Sequence, residues 1–181
     1  YAEYGIPTFP LRDKKPCIVG YNKIGMQASA KNALKFGDAP QIGCMVRSAN
    51  LTIVDIDTPD QNVLIRAISD FGPTPVIVRS GSGNHQLWYR HNGEARHIRK
   101  MGSQPIDILG DGLVVLPPSR GRVGHYNFIQ GNLPDLDKLP KICAAAHAQI
   151  MQIFYGLLIA QNVVGFGVNT RPRLIHRHQL G

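Results

Sequence analysis

The chain has 181 residues, 43% of them hydrophobic and 18% charged, with 19 glycines. That length suits one compact domain with at most a small appendage, and that composition can bury a core, which excludes wholesale disorder. Twenty Lys and Arg against twelve Asp and Glu give a formal charge of +8, which favours an anionic partner, nucleic acid first; the alternative is an ordinary basic surface.

In chain order, Tyr1 to Gly5 reads as the end of a helix stopped by glycine. These residues lack the charged start of a secretory signal. The chain opens without Met and is expected to be a segment of a longer protein. A short strand is predicted at Ile6–Phe9, a loop over residues 10–25, and a helix at Ala28–Phe36 ended by Gly37. Apolar runs at Gln41–Val46 and Leu51–Ile56 read as strands. Thr58 is the predicted N-cap, and Pro59 the first residue, of a helix whose Val63, Leu64, Ala67, Ile68 and Phe71 recur at helical spacing; Gly72-Pro73 ends it. Strands follow at Pro75–Arg79, His85–His91, Pro105–Leu109, Leu113–Leu116 and Tyr126–Ile129. Leu139–Gln161 carries an apolar stripe at helical spacing, and residues 162–181 form a basic tail or linker. Strand, helix and then several strands predict an α+β fold with a mostly antiparallel sheet.

No apolar stretch reaches the roughly 18 residues that suggest a membrane helix, so no membrane partner is expected. Cys17, Cys44 and Cys143 are few, odd in number and widely spaced. They make neither a zinc-ligand pattern nor a disulfide framework, and fit a cytoplasmic protein as small core residues.

Three places can carry chemistry. Asp55-Ile56-Asp57 ends an apolar strand, and residues i and i+2 share a strand face, so both carboxylates point one way. A divalent ion with a taste for oxygen, Mg²⁺ or Mn²⁺, offsets their repulsion; the alternative is a strand end running into a helix cap. Ser80-Gly81-Ser82-Gly83-Asn84-His85 joins two strands. Its glycines allow close backbone approach, its hydroxyls and N–H groups can hold phosphate oxygens, and His85 can donate to a phosphate; the alternative is a glycine-rich hairpin with an incidental histidine. Asp107, between Ile106 and Ile108, is a strand-borne carboxylate that is costly to bury unless paired or metal-bound. Asp111, before Gly112, reads as a turn residue. Three carboxylates can hold two divalent ions about 3.5–4 Å apart, as in polymerases and nucleases.

These residues resemble the primase–polymerase domain of the archaeo-eukaryotic primase superfamily, of the bifunctional DNA primase/polymerase N-terminal type. Gly5-Ile6-Pro7-Thr8-Phe9-Pro10-Leu11, Lys15-Pro16 and Gly20-Tyr21 are similar to its N-terminal signature. Ile53-Val54-Asp55-Ile56-Asp57 is similar to its first catalytic motif, Gly83-Asn84-His85 to its small-x-His motif, and Ile106-Asp107 to its third. The resemblance implies an RRM-like catalytic core over about residues 49–130. A small N-terminal α/β unit over about 1–48 and a helix over about 139–161 complete a catalytic domain of residues 1–161. It implies Asp55, Asp57 and Asp107 as ligands of two Mg²⁺ or Mn²⁺ ions. His85, with Ser80, Gly81, Ser82 and Gly83, would bind the nucleotide. The implied activity is extension of primers on a DNA template with dNTPs or NTPs in plasmid, phage or mobile-element replication, with initiation left open and a helicase domain in the same full-length protein as a partner.

The positive charges near the phosphates are expected to include some of Arg79, Arg90, Arg96, Arg99 and Lys100, with Lys100 the expected triphosphate contact; the alternative for the run from Arg90 to Lys100 is a solvated loop. Arg120 and Arg122 are expected on template or primer phosphates, in contacts independent of sequence and weakened by salt. Trp88 and Tyr89 read as core rather than base-stacking platforms. His176-Arg177-His178 reads as part of the tail rather than a nuclease metal motif. Two other functions are compatible with the same residues: a metal-dependent nuclease, and a non-catalytic module that binds single-stranded DNA or an origin.

Overall fold

The computed structural model describes residues 1–98 and 104–143. It is an α+β fold whose strands all pair antiparallel, in two sheets. The smaller sheet contains β1 (Phe9–Arg12), β2 (Lys15–Pro16), β3 (Gln41–Met45) and β9 (Leu113–Leu116), in the order β2-β1-β3-β9. The larger contains β4 (Leu51–Ile56), β5 (Ile77–Arg79), β6 (His85–Arg90), β7 (Arg96–His97), β8 (Ile106–Leu109) and β10 (Asn127–Gln130). Its order is β10-β5-β6-β4-β8-β7. β9 follows the third motif in sequence yet pairs with β3 over Ile42–Met45, so the chain returns to the first sheet.

Helix α1 (Met26–Lys35) lies beside β1, and helix α2 (Gln61–Phe71) connects β4 to β5. The run β4–α2–β5–β6 followed by β8, in spatial order β5-β6-β4-β8, is the arrangement of an RRM sheet. Between β6 and β8 the described residues carry β7 and no helix.

Strand alternation splits the core in two. Leu51, Ile53, Trp88, Val78 and Leu109 of the larger sheet, with Val76 just before β5, face the smaller one, meeting Phe9, Leu11, Cys44 and Val114 to Leu116. Val54, Ile56, Leu87, Tyr89, Ile106 and Ile108 face the other way, onto Leu64, Ala67 and Phe71 of α2. The order through the molecule is helix, larger sheet, smaller sheet. Trp88 and Tyr89 are both core, on opposite faces.

Several local expectations shift. α2 starts at Gln61 because the Asp60 carboxylate, not Thr58, accepts from the Asn62 N–H at 2.8 Å. Gly72 ends it as expected, at φ 92. The first strand lies at Phe9–Arg12 rather than Ile6–Phe9, and the expected loop contains β2 and a 3₁₀ turn at Tyr21–Lys23. Cys17 and Cys143 are exposed, so of the three cysteines Cys44 alone is core. Residues 139–143 are irregular, tied by the Cys143 N–H to the Phe71 carbonyl. The rest of the helix expected over 139–161, the tail 162–181 with His176-Arg177-His178, and Arg99 and Lys100 lie outside the described residues. No helix among the described residues is long and apolar enough to cross a membrane.

Candidate active site

The central strand β4 lies between β6 and β8, with Asp55 opposite Gln86 on one side and Asp107 on the other. Directly opposed residues of antiparallel strands share a face, so Gln86, Asp55 and Asp107 form a row facing the smaller sheet. Asp57 lies two residues beyond Asp55, where its N–H donates to the Pro105 carbonyl at 2.8 Å and keeps the strand ends together. Asn84 Nδ2 donates to Asp57 Oδ1 at 3.4 Å, tying the Ser/Gly loop to the second carboxylate. Asp107 is buried, Asp55 half-buried and Asp57 exposed, so the row opens outward.

Burial pushes the Asp55 carboxyl up to about 7, and the negative charges of Asp57 and Asp107 add to it. Lys14 and a hydrogen bond from Gln86 act the other way. Gln86 is 4% exposed, and its Oε1 has no hydrogen-bond partner. Asp55, Asp57, Ser80, Ser82 and Gln86 line a cleft of about 220 Å³, closed on the other side by Val114 and Val115 of β9, with Lys14 and Tyr126 at its walls. Burial and the charges of Asp55 and Asp57 raise the Tyr126 phenol above its ordinary range.

Among the described residues no three His, Cys, Asp or Glu side chains close into a ready-made metal cage. Mg²⁺ does not require one, since it keeps several waters and is held by one or two carboxylates plus substrate phosphates. Three carboxylates, one of which holds its proton to about pH 7 in part because of the others, are a donor set that a hard divalent cation fits.

The Ser/Gly loop is a tight turn. Ser80 N–H donates to the Asn84 carbonyl at 2.8 Å and Gly83 N–H to the Ser80 carbonyl at 2.9 Å. Those two amides are spent inside the turn; Ser80 and Ser82 Oγ lie 3.0 Å apart at the cleft. Gly83 takes φ +91, and a Cβ on Gly81 would sit 2.2 Å from the Gly124 carbonyl oxygen. Both glycines therefore shape the loop.

His85 does not join the carboxylates. It is opposite Ile56, one register step from Gln86, so it faces α2 and is 1% exposed. Burial lowers its pKa, its ring bonds to the Thr58 backbone, and its Nδ1 has no hydrogen-bond partner. Alternation gives the cleft-facing slot to Gln86. The expected direct phosphate contact by His85 is not what this arrangement offers.

The other cations divide. Arg120 and Arg122 are exposed and border a groove with Arg12 and Gln41, next to the cleft. Arg122 Nε is 3.5 Å from Asp13 Oδ1. Arg90 is structural, its guanidinium donating to the Leu136 carbonyl at 2.6 Å. Arg79 and Arg96 do not line the cleft. Asp111 is an exposed turn residue. Lys14, Gln86 and Tyr126 are site residues that motif reading misses; alternation from Asp55 could have found Gln86, once the register was known.

No curated protein and no solved structure matches the chain. Residues 1–142 match the family model of the bifunctional DNA primase/polymerase, N-terminal domain. That span takes in both sheets, the Asp55–Asp107 row and the Ser/Gly loop, and by it the chain belongs to the bifunctional DNA primase/polymerase N-terminal family.

Proposed function

We propose that the chain is a DNA-templated nucleotidyltransferase. A primer 3′-hydroxyl attacks the α-phosphate of a dNTP or NTP, and pyrophosphate leaves. The observation that carries this reading is the Gln86–Asp55–Asp107 row, of which Gln86 and Asp55 line, with Asp57, a cleft that holds two serine hydroxyls. Asp55, Asp57 and Asp107 would hold two Mg²⁺ or Mn²⁺ ions. When bound, such ions supply acidification of the hydroxyl and charge stabilisation at the leaving group.

The chain's own residues do the rest. Ser80 and Ser82 donate to phosphate oxygens. Gln86 orients the Asp55 carboxylate by a hydrogen bond. Val114 and Val115 wall the cleft with apolar surface, which strengthens charge interactions there. His85 is a positioning residue: it holds the Thr58 backbone, next to Asp57, from behind the sheet. Arg120 and Arg122 hold template or primer phosphates, and Lys100 contacts the triphosphate. The setting proposed is replication of a plasmid, phage or mobile element, with a helicase domain in the full-length protein.

A primed template with dNTPs and Mg²⁺ or Mn²⁺ tests the reading. Elongation supports it. Shortening of the primer points to a nuclease, and binding without turnover to a non-catalytic module. A labelled NTP without primer tests initiation.

A further inference from the structure

The tip of the β1–β2 hairpin brings a cation to the carboxylates. Arg12 and Lys15 pair across the two strands, so Asp13 and Lys14 are a two-residue connection. Both take positive φ, 50 and 62. Such connections favour Asn and Gly, and two successive non-glycine residues in left-handed backbone carry a conformational cost. Strain of that kind persists where the surroundings impose it, and it gathers at functional sites. Here the surroundings do impose it. Lys14 N–H donates to Gln41 Oε1 at 2.8 Å, and Gln41 Nε2 donates to the Arg120 carbonyl at 3.0 Å. Arg120 N–H in turn donates to the Pro40 carbonyl at 2.7 Å. Gln41 is 5% exposed, so the anchor is buried while the lysine is exposed.

Lys14 lines the carboxylate cleft and also the adjoining cavity of about 350 Å³, which it shares with Gly81, Ser82, Arg122 and Tyr126. Among the described residues lining the carboxylate cleft, it is the one cation. A nucleoside triphosphate entering that cleft is a polyanion approaching carboxylates, and an ammonium on a short pinned turn is a point charge suited to phosphate.

We propose that Lys14 is a nucleotide-binding residue, reaching from the smaller sheet to hold the phosphates of the incoming nucleoside triphosphate while Ser80 and Ser82 reach from the larger one. Gln41 is its positioning residue, acting through the Lys14 backbone. The assignment rests on the nucleotidyltransferase reading for its ligand.

The test is calorimetric binding of a non-hydrolysable nucleoside triphosphate analogue, with Mg²⁺, to the whole chain and to Lys14→Gln, Lys14→Arg, Lys14→Asn and Lys15→Gln. Lys14→Gln weakens binding by about tenfold or more, and Lys14→Arg recovers most of it. Lys15→Gln, which lines neither cavity, binds as the unaltered chain does. Asn favours left-handed backbone, so Lys14→Asn keeps the turn and still loses affinity, which separates charge from folding. Equal affinity in Lys14→Gln, or an equal loss in Lys15→Gln, overturns the assignment. If the unaltered chain binds the analogue in a Lys14-dependent way but never extends a primer, the reading of the activity fails and Lys14 stands. If it extends primers while Lys14→Gln binds equally well, Lys14 alone fails. If it binds no analogue, both fall.

Discussion

Asp55 and Asp107 are directly opposite each other on adjacent antiparallel strands, β4 and β8, with side chains on one face. Neither β-sheet geometry nor the apolar core needs a carboxylate pair there, and the pairing works against the ionisation of Asp55. Asp55→Asn and Asp107→Asn keep the shape and remove one charge each. Each is expected to lower single-turnover primer extension by at least about a thousandfold, several kcal/mol of transition-state stabilisation. Circular dichroism should remain that of the unaltered fold.

The same pair sets a pH dependence. The Asp55 carboxyl titrates near 7 in the folded chain and near about 3.9 in an unfolded one. Between those values the folded state holds a proton that the unfolded state has lost, so stability falls as pH rises and levels off above about 7. Asp55→Asn removes this pH dependence. In a chelator, urea unfolding should find the variant more stable than the unaltered chain by about 4 kcal/mol at pH 8, with the gap closing towards pH 4. Saturating Mg²⁺ should narrow the gap at pH 8 by stabilising the chain that keeps Asp55.

The motif residues and most strands are legible in the sequence because each is local. The apolar run Leu51–Ile56 is a strand over those same residues, and Asp107 is strand-borne. What is not legible depends on pairing between distant segments. Nothing near Leu113 says that β9 leaves the RRM-type sheet for β3. The loop over residues 10–25 is legible, but nothing in it announces a two-residue hairpin with both Asp13 and Lys14 at positive φ; Gln41, 27 residues from Lys14, holds it. His85 and Gln86 are neighbours in sequence, and only the register of β6 against β4 decides which one meets Asp55.

That register makes His85 testable. If its ring holds the Thr58 backbone beside Asp57 rather than a phosphate, His85→Leu should lower kcat about 10–100-fold, the usual range for a residue behind a metal ligand, the role proposed for Asp57. KM for the nucleotide should change little. Ser82→Ala should do the reverse, raising KM. Steady-state extension on a primed template separates the two; a rise in KM with constant kcat for His85→Leu would place the ring on the nucleotide after all.

Gly81 and Gly124 cross backbone to backbone between the Ser/Gly loop and the hairpin that carries Arg122. A Cβ at Gly81 would be 2.2 Å from the Gly124 carbonyl oxygen, a backbone atom that cannot turn aside. Gly81→Ala should therefore separate the two loops, lowering stability by about 1–3 kcal/mol. It should also weaken nucleotide and DNA binding together. Thermal unfolding and filter binding measure the two effects.

Arg122 and Asp13 form an ion pair across the mouth of the groove, with side chains 85% and 61% exposed. An ion pair so exposed contributes little to stability, so the guanidinium is free to exchange its partner for a phosphate. Arg122→Ala should then weaken DNA binding about equally for unrelated sequences. It should also reduce the dependence of log K on log salt by about one unit. Asp13→Asn removes the competitor without touching the cation, and should tighten binding at low salt while leaving that slope in place. Fluorescence anisotropy with two unrelated single-stranded oligonucleotides over a salt series measures both. A slope unchanged in Arg122→Ala would take that residue off the DNA path.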